Sequence, residues 1–141
     1  MQEYQSNSAQ ETEQIAENFA KQLQHGDVIA FVGGMGAGKT AFTRGLAKGL
    51  NVKGEVSSPT FALVHEYRGN PSLYHFDMYR INSIDDLYST GYFDYLDMNG
   101  IMAIEWSENI QDVLDENTIY VELIKTDDDK RTIKIHGGNR F

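Results

Sequence analysis

The sequence contains no cysteine. Disulfide frameworks, thiolate zinc sites and cysteine nucleophiles are therefore excluded together, and the composition suits a reducing compartment. Basic residues are scarce too: 12 Lys and Arg stand against 21 Asp and Glu, a formal net charge of −9. A protein that grips nucleic acid mainly through its own surface carries a basic excess, so bulk electrostatics argue against that class. Long hydrophobic runs are missing, since Val28–Val32 and Ile101–Ile104 fall far short of a bilayer span. The stretch Met1 to Glu13 lacks the basic-then-apolar pattern of a secretory signal. A soluble, cytoplasmic protein is the expectation. Four scattered histidines without paired spacing offer no zinc site, and repeats and low-complexity segments are absent.

What is present points to one domain. The chain has 141 residues, 40% hydrophobic and 23% charged, enough for one compact unit and too few for two ordinary ones. A domain of this size buries about two-thirds of its unfolded surface, so a hydrophobic core alone sustains it. One charge anomaly stands out. No acidic residue occurs between Asp27 and Glu55, whereas Lys39, Arg44, Lys48 and Lys53 all fall there. An anionic ligand is expected at that stretch, although a solvated helix face explains Arg44, Lys48 and Lys53 equally well.

Apolar periodicity predicts the elements. Ile15, Phe19 and Leu23 recur every four residues with Ala16 and Ala20 beside them, an amphipathic helix over Thr12–Gln24. Ser8 and Glu11 have capping-box spacing, and Gly26 follows the end. Val28–Val32 reads as a buried strand, followed by a helix running from a glycine-rich turn to about Leu50. Two strands are expected at Phe61–Val64 and Leu73–Phe76, with a turn at Gly69-Asn70-Pro71. A short helix over Ser83–Thr90, capped by Ser83 and stopped by Gly91, precedes the apolar strand Ile101–Ile104. Ser107 is a candidate cap for a brief helix to Val113. Two final strands, Thr118–Ile124 and Arg131–His136, flank the acidic turn Asp127-Asp128-Asp129. The order is α/β with an antiparallel addition at the end.

The decisive motif is Gly33-Gly34-Met35-Gly36-Ala37-Gly38-Lys39-Thr40, a full G-x-x-x-x-G-K-[ST] between an apolar strand and a helix. Glycines let successive main-chain N–H groups converge on one phosphate without Cβ obstruction. The following helix adds its N-terminal partial charge at the same point. Lys39 can bridge the β- and γ-phosphates, and the Thr40 hydroxyl can ligate Mg²⁺. Such sites take a further carboxylate from a strand end, and two candidates fit. Glu105 ends the uniformly apolar Ile101–Ile104 and is the better metal ligand; Asp77 ends Leu73–Phe76 and suits an attacking water or an outer metal contact. Guanine recognition brings an N-K-x-D segment, which is absent, so ATP is preferred over GTP. Trp106, the only tryptophan, follows Glu105 and is a candidate to stack on the base or meet a partner. Arg44 and Arg80 are the candidates for an arginine supplied in cis, at no predictable position.

With these residues in place, the chain resembles the TsaE family (formerly YjeE), small bacterial P-loop ATPases of tRNA threonylcarbamoyladenosine biosynthesis. Gly36-Ala37-Gly38-Lys39-Thr40, Val56-Ser57-Ser58-Pro59-Thr60-Phe61, His75-Phe76-Asp77-Met78-Tyr79-Arg80 and Ile104-Glu105-Trp106 carry the resemblance, in the family's order. It implies a P-loop NTPase-like three-layer sandwich over residues 1–141, with a central mixed sheet of parallel core and antiparallel C-terminal strands. It further implies that Thr12 lies near the nucleotide base and that Met35 to Thr40 hold the phosphates. Thr40 and Glu105 would bind Mg²⁺, Asp77 would serve ATP turnover, and Ser58-Pro59-Thr60 would form a switch-like loop. The implied partners are the TsaD and TsaB proteins, whose complex transfers a threonylcarbamoyl group to an adenosine next to the tRNA anticodon. tRNA would be met only indirectly, and the ATPase would reset the complex. Gly34 stands where many relatives carry an acidic or polar residue, and Ser107 replaces a common proline.

Two other function classes compete. A small P-loop metabolite kinase needs an acceptor pocket and an arginine-bearing lid, for which the chain has little sequence to spare. A nucleotide-gated binding module would retain partner function in a Lys39→Ala variant. A switch ATPase would turn over slowly alone and faster in complex.

Overall fold

The computed structural model describes residues 1–34, 36–54 and 63–141. Seven strands form one mixed sheet: β1 (Gln2–Ser6), β2 (Val28–Val32), β3 (Val64–Tyr67), β4 (Leu73–Asp77), β5 (Ile101–Glu105), β6 (Ile119–Lys125) and β7 (Arg131–Gly137). Their spatial order is β1-β7-β6-β2-β5-β4-β3. The four central strands β6, β2, β5 and β4 run parallel, while β7 and β1 on one side and β3 on the other pair antiparallel. This is the expected mixed sheet with a parallel core and an antiparallel C-terminal end. The antiparallel margin extends to both edges.

Parallel strands need both faces covered, and short, wholly apolar runs supply this. Along β5, Ile101 and Ala103 face one core while Met102 and Ile104 face the other. The first core lies under helices α1 (Ala9–Ala20) and α2 (Lys39–Gly49), where Phe42 stands edge-on to Phe31 and tilted to Phe19. The second lies under α3 (Ile84–Ser89), α4 (Tyr92–Leu96) and a 3-10 helix (Ser107–Val113), with Phe76 edge-on to Tyr92 and Tyr95. Three layers result.

Small residues set how α1 and α2 meet. A Cβ on Gly45 would overlap the carbonyl oxygen of Glu13 and lie 2.6 Å from the Ala16 Cβ. Gly49 meets Glu17 and Ala20 in the same way one turn further on. Glycines and alanines spaced four residues apart thus let the two backbones nearly touch, and Lys48 of α2 pairs with Glu13 of α1 across the seam. That ion pair raises the Lys48 pKa, first through its hydrogen bond to Glu13 and then through the Glu13 charge. Part of the cationic stretch is therefore spent on holding helices together.

Several boundaries differ from the sequence reading. Helix α1 starts at Ala9, with the Ser8 hydroxyl accepting from Glu11 N at 3.1 Å, and ends at Ala20 rather than Gln24. Over Lys21–Leu23 the amides bond three residues back, to Asn18, Phe19 and Ala20, which tightens the chain out of the α-helix. Strand β3 runs to Tyr67, three residues past the expected end; Phe61 and Ala62 of that expectation lie outside the described residues. Ser107 does not cap the 3-10 helix. Trp106 holds that position, and the Ser107 hydroxyl donates to Phe31 O at 3.1 Å, tying the end of β5 to β2. Strand β1 and helix α4 were unanticipated. Gly91 does stop α3, but the chain re-enters helix directly after it. Among the described residues no helix is long and apolar enough to cross a membrane.

Candidate active site

The site is built where the parallel strands end. Strand β2 stops at Val32, and Gly33 begins the turn, where a Cβ would lie 2.6 Å from Leu123 O of β6. Only glycine fits between those two main chains. The turn closes at Gly38, whose φ of 104° is left-handed, and α2 starts at Lys39 with no side chain capping it. An uncapped helix start leaves main-chain N–H groups and the positive end of the helix dipole available to an anion. The glycine-rich turn between an apolar strand and a helix is as expected from the motif; Met35 lies outside the described residues, as do Ser57 to Thr60.

Lys39 is 9% exposed, and its ammonium nitrogen sits 3.6 Å from Glu105 Oε1. Glu105 ends β5, itself paired in parallel with β2 and β4, so the sheet delivers its carboxylate beneath the start of α2. Alternation fixes the face: Glu105 has the parity of Ile101 and Ala103, which pack under α1 and α2. Asp77 is in register with Glu105 on the neighbouring strand, and its Oδ1 accepts from Tyr79 N at 2.9 Å. The two candidate carboxylates are thus strand neighbours on one face. Thr40 follows Lys39 in the first turn and is half-buried.

Trp106 follows Glu105 in a left-handed conformation, φ 58° and ψ 41°. For a residue with a bulky side chain this costs on the order of 1–3 kcal/mol, a strain that clusters at functional positions. Its indole lies 5.6 Å from the Lys39 ammonium and 4.9 Å from the Tyr79 ring. The side chain borders the site on the Lys39 side. Thr12 is also adjacent, but underneath: it is 1% exposed, its hydroxyl shares a 2.7 Å hydrogen bond with Ser6, and its methyl would lie 4.0 Å from a Cβ on Gly38. Its hydroxyl is engaged within the fold. Arg44 and Arg80 are both exposed.

The family model described as threonylcarbamoyl adenosine biosynthesis protein TsaE matches residues 6–133. The chain is 37% identical over 130 residues to the tRNA threonylcarbamoyladenosine biosynthesis protein TsaE of Treponema pallidum, covering 92% of this chain and 96% of that protein. It is 40% identical over 135 residues to the protein of that name from Rickettsia prowazekii, covering 94% and 93%. A crystal structure of Bacillus subtilis YdiB aligns with a TM-score of 0.78 at 32% identity, over 99% of this chain and 88% of that one. The chain belongs to the TsaE family. The span matched to TsaE contains Ser6, Thr12, Lys39, Thr40, Asp77, Glu105 and Trp106.

Two residues to which the sequence reading gave no individual role adjoin this cluster in the TsaE-family chain. His75, fully buried on β4, places Nε2 2.6 Å from Glu105 Oε2. An ionised carboxylate only accepts, so Nε2 carries the hydrogen. Its Nδ1 finds no partner among the described residues. Burial alone pushes the Glu105 carboxyl up; the hydrogen bond from His75 and the charges of His75 and Lys39 outweigh it and hold the group below the usual carboxylate range. Glu105 is therefore an anion at neutral pH, as a metal ligand must be. The second is Arg131, at the start of β7, which donates to Ala37 O at 3.1 Å and Gly36 O at 2.9 Å. His75 is thirty residues from Glu105 in sequence, and only the β4–β5 register makes them neighbours. Arg131 carried no local signal beyond its place at a strand start.

The donor set suits Mg²⁺. A hydroxyl and carboxylates supply oxygen ligands, and among the described residues no group of three or more His, Cys, Asp or Glu forms a free-standing cage. Mg²⁺ is held through one or two protein oxygens, with phosphate and water filling the rest.

Proposed function

We propose that the protein is the ATP-binding and ATP-hydrolysing component of cytoplasmic tRNA threonylcarbamoyladenosine biosynthesis, and that it acts on a TsaD–TsaB complex rather than transferring the group itself. The observation that carries this reading is the buried Lys39 at the uncapped start of α2, facing the Glu105 carboxylate across 3.6 Å. The names of the TsaE relatives supply the pathway. On this reading Met35 to Thr40 cradle the triphosphate, Trp106 borders the nucleotide and Thr12 supports the loop from below.

The chemistry follows from placement. Without nucleotide, Glu105 is the only anion within ion-pair distance of Lys39 among the described residues. A triphosphate on the loop amides competes for that ammonium and frees Glu105 to act with Thr40 as a metal ligand. Bound Mg²⁺ would neutralise charge on the β- and γ-phosphate oxygens. Asp77, in register with Glu105 on the neighbouring strand, would orient the water that attacks the γ-phosphorus. As the water oxygen bonds to phosphorus, the bond to the β–γ bridging oxygen breaks, the water's proton passes to a phosphate oxygen or to solvent, and ADP and inorganic phosphate leave. Lys39 draws off charge developing on the phosphoryl oxygens. His75 keeps Glu105 oriented and ionised.

Slow turnover by the isolated protein is expected. Arg44 and Arg80 are exposed, and the Arg131 guanidinium is committed to main-chain carbonyls. Among the described residues no arginine is paired with Asp77 or Glu105, and a partner that supplied or ordered one at the site would accelerate hydrolysis. The test is ATP hydrolysis with and without purified TsaD–TsaB, for the wild type and Glu105→Ala. A low rate alone, a rise of ~10-fold or more in complex, and loss of both in Glu105→Ala support the reading. Equal rates with and without partner contradict the switch role, and wild-type turnover by Glu105→Ala contradicts the site.

A further inference from the structure

The loop that would hold a triphosphate contains as many carbonyls as amides, and a carbonyl aimed at a phosphate repels it. Something must turn the carbonyls away. In a trans peptide the C=O and the following N–H point in opposite directions, so fixing one fixes the other. Gly36 O and Ala37 O are both held by one side chain, through Arg131 Nη2 at 2.9 Å and Arg131 Nε at 3.1 Å. The N–H groups of Ala37 and Gly38 are therefore held facing away from the guanidinium. Ala37 N bonds within the loop to Gly34 O at 3.3 Å, which leaves the Gly38 amide as the one aimed outward by this clamp.

The same guanidinium is anchored on its far side. Arg131 Nη1 donates to Asp127 O at 3.0 Å, Asp128 O at 3.1 Å and Lys130 O at 2.9 Å, the carbonyls of the β6–β7 turn. Every nitrogen of the group is thus bonded to a main-chain carbonyl, the arrangement that a planar fork of five donors allows and a lysine does not. Arg131 sits opposite Ser6 of β1 and Lys125 of β6 in the sheet. Its side chain and the Thr12 methyl are what a Cβ on Gly38 would first meet, at 3.8 to 4.0 Å. The loop therefore rests on a sheet-borne support.

From this geometry we infer that Arg131 is the positioning residue of the phosphate loop: it turns the Gly36 and Ala37 carbonyls away from the ligand side and ties the loop to the β6–β7 turn. It acts through the loop carbonyls that its Nε and Nη2 hold, not on phosphate, so its role is positioning and not that of an arginine finger. The inference rests on the nucleotide-site reading for its consequence in binding, but the hold on the loop exists without nucleotide.

The test uses Arg131→Gln and Arg131→Lys in the full chain, read by amide hydrogen exchange without nucleotide and by ATP affinity with Mg²⁺. Arg131→Gln should speed exchange at Gly36–Thr40 by about 10-fold or more while β2 and β5 exchange as in the wild type. It should weaken ATP binding by about 10- to 100-fold, the scale of a misplaced binding group. Arg131→Lys keeps the charge but not the fork, and should resemble Arg131→Gln. Wild-type exchange in the loop of Arg131→Gln overturns the inference, as does wild-type ATP affinity in Arg131→Lys, which would reduce the role to charge. Faster exchange throughout β2 and β5 overturns it as well, since Arg131 would then serve general stability. If the wild type binds no ATP, the nucleotide-site reading fails, while the exchange arm still decides whether Arg131 holds the loop.

Discussion

The two ends of the sheet each carry a lysine or arginine paired with a carboxylate, and they are built to opposite purposes. At one end Arg140 reaches Asp27 Oδ1 at 2.5 Å, also donates to Gln22 O at 2.9 Å, and borders a cavity of about 450 Å³ with Asn117, Ile119 and Phe141. That pair is tight, partly exposed and satisfied. At the other end Lys39 and Glu105 are more buried yet stand 3.6 Å apart, His75 Nδ1 lacks a partner among the described residues, and Trp106 is held in a left-handed conformation. Buried polar groups are normally satisfied, and the exceptions call for an explanation. In a parallel sheet a ligand belongs at the carboxyl ends of the strands, here the end where the Lys39 ammonium stands 3.6 Å from its carboxylate. The cavity at the opposite end has room, but its charges are already matched.

Mutations at the two ends should therefore fail differently. The largest effect is expected for Lys39→Ala, which removes the cation facing developing phosphoryl charge: ATP turnover should fall about 10²- to 10³-fold, with the melting transition nearly unchanged because Glu105 keeps His75. Steady-state kinetics beside thermal melting check this; a large loss of stability with little loss of rate would reverse the contrast. Next is Gly45→Leu in the α1–α2 seam, where added methylenes meet the Glu13 carbonyl. Overpacking of this kind costs about 1–3 kcal/mol, measured by urea unfolding.

Arg140→Ala ranks third. The pair is partly solvent-screened, so about 1 kcal/mol of stability should be lost, and ATP turnover of the folded protein should not change. A turnover defect here comparable to that of Lys39→Ala would make the Arg140 end a second candidate site. The smallest effect is a pH dependence that shows only in the alkaline range. Burial, followed by the Asp115 charge, pushes the Tyr92 phenol from 10.0 up to about 12. The unfolded chain ionises first, so the contribution is complete below pH ~10 and is lost as pH rises toward 12. Urea unfolding between those values should show stability falling with pH, and a shallower fall in Tyr92→Phe.

Legibility followed the same division. The loop, β2 and β5 were plain in the sequence because their physics is local: glycines where main chains must approach, and short wholly apolar runs for strands covered on both faces. Lys39, Thr40, Asp77 and Glu105 were named from those signals, and the structure brings Lys39, Asp77 and Glu105 to one strand-end cluster. His75 and Arg131 were not legible. Their roles depend on strand register and on a turn that follows the loop by some ninety residues, and no spacing rule encodes either. Strand β1 escaped notice because Gln2-Glu3-Tyr4-Gln5-Ser6 is a polar edge strand, whose exposed side chains erase the apolar alternation. Helix α4 is five residues of mostly aromatic sequence, too short for a helical period. Ser107 looked like a cap because its hydroxyl is of the right kind; its use on Phe31 O is a tertiary contact that sequence does not reveal.

The most direct test is an amide-resolved titration of the full chain with ATP and Mg²⁺ by two-dimensional NMR. The account predicts saturable shifts at Gly38, Lys39 and Thr40, extending to Glu105 and Trp106, with Asp27, Asn117 and Arg140 unmoved. Shifts confined to Asp27, Asn117 and Arg140, or none at the start of α2, would contradict it.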